Sequence, residues 1–295
     1  MILLTGCTGF VGSHLAEALV KHGLHVRCLV RNSHTIDSLT QEGMTNVSGD
    51  VMQYDSLVAA TEGVDTVIHL VGIIREHGEA TFERIHVEGT RNIIRAAQEN
   101  GVRRFIYQSA LGARERGVSE YQTTKWQAEQ LTTESGMEWI VTRPSVLIGR
   151  GGEFVDTLVE LVTRPPIIPI IGSGNYKLQP LWIEDLTEAF IMMLNDDEHW
   201  GKIYELGGPE QLTFNRMIVL TCRVLGIRKP IIHLPEWLMR PIVRVLESIH
   251  ANTPITSDQL AMLAEDSVTN CNTLTEVFGI TPLSYRTALQ RSLGR

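Results

Sequence analysis

Lysine is scarce in this chain of 295 residues: Lys21, Lys125, Lys177, Lys202 and Lys229 are all it has, and arginine carries most of the positive charge. The formal balance is −8 and the pI near 5.7, which excludes a protein whose whole surface meets nucleic acid, because phosphate neutralisation needs clustered cations. Cysteine is equally thin. Cys7, Cys28, Cys222 and Cys271 lie far apart without a Cys-x-x-Cys pair, so neither a disulfide framework nor a zinc site is expected, and a reducing, cytoplasmic setting fits. No apolar run approaches the roughly 20 residues of a membrane helix. Nor does a charged leader precede Met1-Ile2-Leu3-Leu4, so a start directly on a core strand is expected. The histidines show no His-Glu-x-x-His spacing, and no Gly-x-Ser-x-Gly elbow occurs. No metal is expected.

What is present reads as an ordinary globular composition, 43% hydrophobic and 20% charged with a mean hydropathy of +0.00. The length suits one large domain with an appendage, or two domains. Through the first half, short apolar runs alternate with amphipathic stretches. Strands are predicted at 1–4, 25–30, 45–48, 66–70, 104–108 and 139–143, with helices opening near Gly12, Tyr54, Thr81 and Tyr121. Strands that are apolar on both faces need helices on both sides, so the fold class is a doubly wound parallel α/β sheet of the Rossmann type. Arg143-Pro144 ends the last of these strands, since proline lacks the ladder amide.

Beyond about residue 150, Pro165-Pro166, Pro169 and Gly172-Ser173-Gly174 interrupt the chain. The expected division is a dinucleotide-binding domain over 1–150, with later elements near 175–205 interleaved, and a smaller lobe over 151–295 that is mainly substrate-binding. Helices are predicted at 184–195, 214–225 and 236–249. In the last of these, Trp237, Leu238, Ile242, Val245, Leu246 and Ile249 recur with helical spacing. That stripe is expected to pack in the core, with a substrate-channel wall or a membrane-surface contact as the alternatives.

The first predicted strand runs into Thr5-Gly6-Cys7-Thr8-Gly9-Phe10-Val11-Gly12, with a helix following. Gly6 permits the tight turn, Gly9 lets backbone approach a pyrophosphate, and Gly12 lets helix and strand pack closely. The helix N-terminus then faces the anion. At the end of the second strand, where an acidic residue would hold a ribose 2′-hydroxyl, stands Arg31. A permanently cationic fork suits a 2′-phosphate, so NADP(H) is expected over NAD(H). Asp50, after the third strand, offers an acceptor to an adenine amino group; an ordinary turn aspartate is the alternative.

These segments, with His86-Val87-Glu88-Gly89-Thr90, Tyr121-Gln122-Thr123-Thr124-Lys125, Arg143-Pro144-Ser145-Val146 and Leu181-Trp182-Ile183-Glu184-Asp185, resemble the extended short-chain dehydrogenase/reductase superfamily. The likeness covers nearly the whole chain. It is strongest toward the atypical group that includes the NADPH-binding accessory subunit of respiratory complex I. The resemblance implies that Lys125 binds the nicotinamide ribose and that Tyr121 exchanges a proton with substrate, with Ser109 as the neighbouring hydroxyl. It further implies cofactor contacts from Thr8, Phe10, Val11, Val51, Leu70, Val71, Gly72, Ser109, Pro144 and Val146. A monomer or homodimer is the family habit.

Two positions depart from that pattern. The hydroxyl residue of the usual catalytic set falls at Ala110, one position after Ser109, and the usual asparagine is His86, for which a structural or a proton-relay role is open. The arginine of sugar-nucleotide members is replaced by leucine within Gly172–Pro180. The expected function is therefore hydride transfer on a small or apolar carbonyl or alcohol. The alternatives are a cofactor-binding structural or assembly protein of a membrane complex, with little turnover, and a sugar-nucleotide epimerase or dehydratase. No transmembrane segment is expected; peripheral membrane or complex association stays open.

Overall fold

The computed structural model describes residues 1–31, 42–249 and 255–294. The chain divides into two compact units, the first Met1–Arg143 with Leu186–Tyr204, the second Pro144–Asp185 with Glu205–Arg295.

In the first unit the order is β1 (Ile2–Thr5), α1 (Phe10–Lys21), β2 (Val26–Val30), β3 (Met44–Ser48), α2 (Tyr54–Thr61), β4 (Thr66–His69), α3 (Gly89–Glu99), β5 (Arg104–Gln108), α4 (Glu120–Thr133) and β6 (Glu138–Pro144). The chain continues with β7 (Leu147–Ile148), α5 (Glu153–Thr163), β8 (Ile168–Ile171), β9 (Lys177–Leu178), β10 (Leu181–Trp182), α6 (Ile183–Asn195) and β11 (Lys202–Leu206). Seven strands form one sheet in the order β11-β6-β5-β4-β1-β2-β3, and every pairing from β6 to β3 is parallel. This is the doubly wound order, which reverses between β1 and β4. Loops leaving the carboxyl ends of those two strands diverge there and open a crevice for ligands.

β1 and β4 are buried along their whole length. Their faces are covered by helices whose inward residues recur at helical spacing. In α1 these are Gly12, Leu15, Ala16 and Leu19; in α3 they include Ile93, Ile94, Ala96 and Ala97. α4 differs, because the residues it buries are Gln122, Thr124, Lys125, Ala128, Glu129 and Thr132. A helix with a polar inward face has no apolar stripe to betray it, and its polar groups must find partners inside.

The second unit adds β12 (Leu212–Thr213), α7 (Phe214–Leu225), β13 (Ile231–Leu234), α8 (Glu236–Ile249), α9 (Ser257–Met262), α10 (Thr273–Glu276) and α11 (Tyr285–Ser292). β13 pairs in parallel with β8. α8 forms over the predicted span, but its stripe is not core. Trp237 is 74% exposed, Val245 56%, and Leu238, Ile242 and Leu246 about 40%, while Val243 is buried. The Ile249 side chain lies outside the described residues. α8 packs against α9, a helix of only six residues that is too short to cover the whole stripe, so most of the apolar face is left outward.

Candidate cofactor and proton-transfer site

The glycine loop lies at the reversal point of the sheet. Gly6 follows β1 at φ +78°, a left-handed conformation that side chains rarely adopt, and a Cβ there would stand 3.2 Å from the Leu70 carbonyl carbon. Leu70, Val71 and Gly72, which follow β4, thus run against the loop; the Leu70 amide donates to Thr5 O at 3.3 Å. The Gly9 amide closes the turn on Gly6 O at 3.0 Å. Gly12 packs harder still, since a Cβ on it would fall 2.1 Å from Gly6 O.

The first turn of α1 has neither a side-chain cap nor an acidic residue. Helix amides that are left without such partners, at the positive end of the helix dipole, suit a phosphate. Thr8 and Gly9 are exposed at the loop tip, with Phe10 and Val11 half-buried behind them. Arg31 is exposed directly after β2. Asp50 is engaged locally, one carboxylate oxygen accepting from the Met52 amide at 2.9 Å as a turn aspartate does. Val51 is core, and its side chain would meet a Cβ on Gly89 at 3.0 Å.

α4 opens on Ser119, whose hydroxyl accepts from the Gln122 amide. Its first turns carry Tyr121 and Lys125 one above the other. The Lys125 ammonium donates to Gln108 O at 2.6 Å and lies 4.4 Å over the Tyr107 ring. Burial lowers the Lys125 pKa to about 7, partly offset by Glu129 one turn further along. Glu129 is fully buried and held by Arg143 through two hydrogen bonds of 2.9 and 2.7 Å. That carboxylate escaped the sequence reading, although its place four residues beyond Lys125 puts it on the same helix face.

Burial pushes the Tyr121 phenol up to about 12. Its ring stands edge-on to His86 at 5.6 Å and to Phe82 at 5.9 Å. Ser109, just after β5, is 3% exposed and its hydroxyl has no hydrogen-bond partner among the described residues, although its amide donates to Thr142 O at 2.7 Å. A buried hydroxyl left in that state is ready for a ligand group.

His86 sits in a π-helical turn, Glu83–Glu88, that leads into α3. His86 Nδ1 shares a hydrogen bond with Thr124 Oγ1 at 2.9 Å, and His86 Nε2 lies 3.1 Å from both the amide and the carbonyl oxygen of Ile73. Burial, then the Lys125 cation, drives the imidazole down to about 2, so it is neutral at any ordinary pH. His86 ties the π-turn and the segment after β4 to α4. A second neutral histidine, His69, bridges Thr5 Oγ1 at 2.7 Å and Thr90 Oγ1 at 3.1 Å under the crevice, its pKa lowered to about 3 by burial and then by Lys125.

A Cβ on Gly72 would lie 3.5 Å from His86 Nε2 and 3.6 Å from Lys125 Nζ. The segment that abuts the glycine loop thus also abuts the Tyr/Lys helix. Within the first unit the structure brings together Gly6, Gly9, Gly12, Leu70, Val71, Gly72, Tyr121 and Lys125, with Ser109 at the adjoining strand end. Pro144 is the last residue of β6. Val146 belongs to the second unit, where its carbonyl accepts from the Leu181 amide at 2.9 Å. A three-glycine cradle, an uncapped helix start and the partnerless Ser109 hydroxyl fit a dinucleotide.

A pH effect follows from Lys125. Unfolded, it keeps its proton to about 10.5; folded and without cofactor, it loses it near 7. Between those values the unfolded state binds more protons, so stability rises with pH across that window. An increase of about 2 kcal/mol from pH ~7.5 to ~9.5 is expected in denaturant melts, and Lys125→Met should flatten it.

Fold and crevice define a Rossmann-type NAD(P)-binding protein of the extended short-chain dehydrogenase/reductase class. The NAD(P)H-binding family model matches residues 6–159, more than half of the chain, and the chain belongs to that family. Among curated relatives, it is 30% identical over 221 residues to "NADH dehydrogenase [ubiquinone] 1 alpha subcomplex subunit 9, mitochondrial" of Arabidopsis thaliana, covering 72% of this chain and 54% of that protein. It is also 30% identical over 191 residues to a ceramide reductase of Caulobacter vibrioides, covering 65% of this chain and 60% of the relative. The chain thus spans little more than half the length of these two. Among solved structures, the NADPH-dependent quinone oxidoreductase QOR2 of Escherichia coli, complexed with NADPH, superposes with a TM-score of 0.80 over 99% of this chain and 100% of the other, at 19% identity.

Proposed function

We propose that the protein is an NADP(H)-dependent oxidoreductase acting on a small or apolar carbonyl or alcohol. The observation that carries this reading is the position of Gly72, within contact range of the buried Lys125 on one side while its own segment lines the dinucleotide loop on the other. When bound, the cofactor supplies or accepts hydride. Tyr121 holds its proton at neutral pH and donates it to the carbonyl oxygen of a substrate being reduced, or receives one in the reverse direction. Lys125 binds ribose hydroxyls and, once charged, stabilises the tyrosinate left behind. Ser109 donates its unused hydroxyl to the reacting oxygen. Leucine in place of the diphosphate-binding arginine within Gly172–Pro180 favours an apolar substrate over a nucleotide sugar. Reduction of a panel of apolar ketones with NADPH tests the activity, and no reduction of any of them would count against it.

Arg31 underlies the cofactor preference. Removing a charged phosphate contact costs about 1.5–3 kcal/mol. Arg31→Ala is therefore expected to weaken NADPH binding by about tenfold to a hundredfold and NADH by less than about twofold, as read by fluorescence titration; equal losses would refute the contact.

A second reading is a cofactor-binding structural or assembly protein with slow or no turnover. Ala110, which stands where a hydroxyl is usual, supports it, as does the relative named as a mitochondrial NADH dehydrogenase subunit. Co-purification with a membrane complex together with inert carbonyl assays would favour it.

A further inference from the structure

We propose that α8 docks on an anionic membrane surface, lying in the plane of the lipid interface. Five large apolar side chains within ten residues, Trp237, Leu238, Ile242, Val245 and Leu246, are all between 38% and 74% exposed. At 100° per residue they span the arc centred on Val245, opposite the buried Val243. The helix therefore turns its greasy side outward, the reverse of a helix packed on a core. No helix among the described residues is long and apolar enough to cross a membrane, so the face would lie on a bilayer and not pass through it.

Charge selects the occupant. α8 itself carries Arg240 and Arg244 against Glu236 and Glu247, and Arg228 and Lys229, the latter held by the Thr163 and Pro165 carbonyls, precede it. Arg240 is paired with Glu236 at 2.6 Å, whereas Arg244 is exposed, has no ion pair among the described residues, and sits at the flank of the apolar face. A tryptophan at one end of an apolar arc with an arginine along its edge is the arrangement an interfacial helix needs: the rings and aliphatic chains enter the acyl boundary while the guanidinium stays among headgroup phosphates.

The test is sedimentation of the full-length protein with vesicles of phosphatidylcholine alone and of phosphatidylcholine mixed with phosphatidylglycerol. Wild type should pellet with the mixed vesicles, more weakly at high salt, with a blue shift in emission that Trp237→Phe lacks. Val245→Glu should reduce partitioning by at least about tenfold, Val245→Ala less, and Arg244→Gln should weaken binding to the mixed vesicles only. Unchanged circular dichroism and melting would show that these exposed substitutions leave the fold intact. The proposal is overturned if wild type stays in solution with both vesicles, or if Val245→Glu pellets as wild type does. It is equally overturned if the face proves to hold a second copy, seen as a dimer that Val245→Glu splits and no vesicle binds.

Discussion

Tyr121→Phe is expected to lower turnover by about 10²–10⁴-fold while leaving cofactor affinity within about twofold. The substitution removes one hydroxyl and nothing else. The ring's packing is aromatic, edge-on to His86 at 5.6 Å and to Phe82 at 5.9 Å, and phenylalanine keeps both contacts. Nor does the phenol carry charge that the fold relies on, because burial raises its pKa to about 12. What is lost is the proton donor to the reacting oxygen. Ser109 cannot replace it, since a serine hydroxyl donates a hydrogen bond but does not give up its proton near neutrality. The measurement is kcat on whichever carbonyl the NADPH-linked panel identifies, beside a fluorescence titration of the cofactor. A variant with full turnover would end the proton-transfer assignment. If wild type binds NADPH but turns over nothing, the structural reading gains instead.

The parts of this site that were legible from sequence are those in which local chemistry dictates geometry. The spacing of Gly6, Gly9 and Gly12 between a strand and a helix has one physical use, and Tyr121 and Lys125 share a helix face because they are four apart. The rest depends on partners distant in the chain. His86 owes its role to Thr124 and Ile73, thirty-eight and thirteen residues away, and His69 bridges Thr5 and Thr90 across sixty-four and twenty-one. No pattern in a single sequence encodes those pairings. α4 was legible through its Tyr121/Lys125 motif, not through periodicity, because the face it buries is polar. In α8 the periodicity located the helix and grouped its apolar residues correctly. Which way the group faces is set by what lies beside it, and the short helix α9 is too small a neighbour to cover it.

The largest structural effect is expected at Gly12. A Cβ there would fall 2.1 Å from Gly6 O, 2.7 Å from the Gly6 carbonyl carbon and 2.7 Å from Cys7 Cα, all backbone atoms with no rotamer to yield. Gly12→Ala must therefore push α1 away from the loop, or the loop away from β1. Either movement breaks the alignment of the α1 amides with the phosphate position, so NADPH affinity should fall more than about a hundredfold, beyond the loss of a single charged contact. Overpacking of this severity costs about 3 kcal/mol, and at this chain length the melting temperature should drop by about 5 °C. Two other glycines separate the clash from general sensitivity. Gly9→Ala places its Cβ 3.2 Å from Gly6 O, a contact that a shift of a few tenths of an ångström relieves, so its loss should be intermediate. Gly23, at φ +75° with nothing within 4 Å of a Cβ, should cost only the roughly 1 kcal/mol of a left-handed alanine and leave affinity unchanged. Parallel melts and NADPH titrations of the three variants rank these effects. If Gly12→Ala binds and melts like Gly23→Ala, the close approach of α1 to the loop does not hold the cofactor site together.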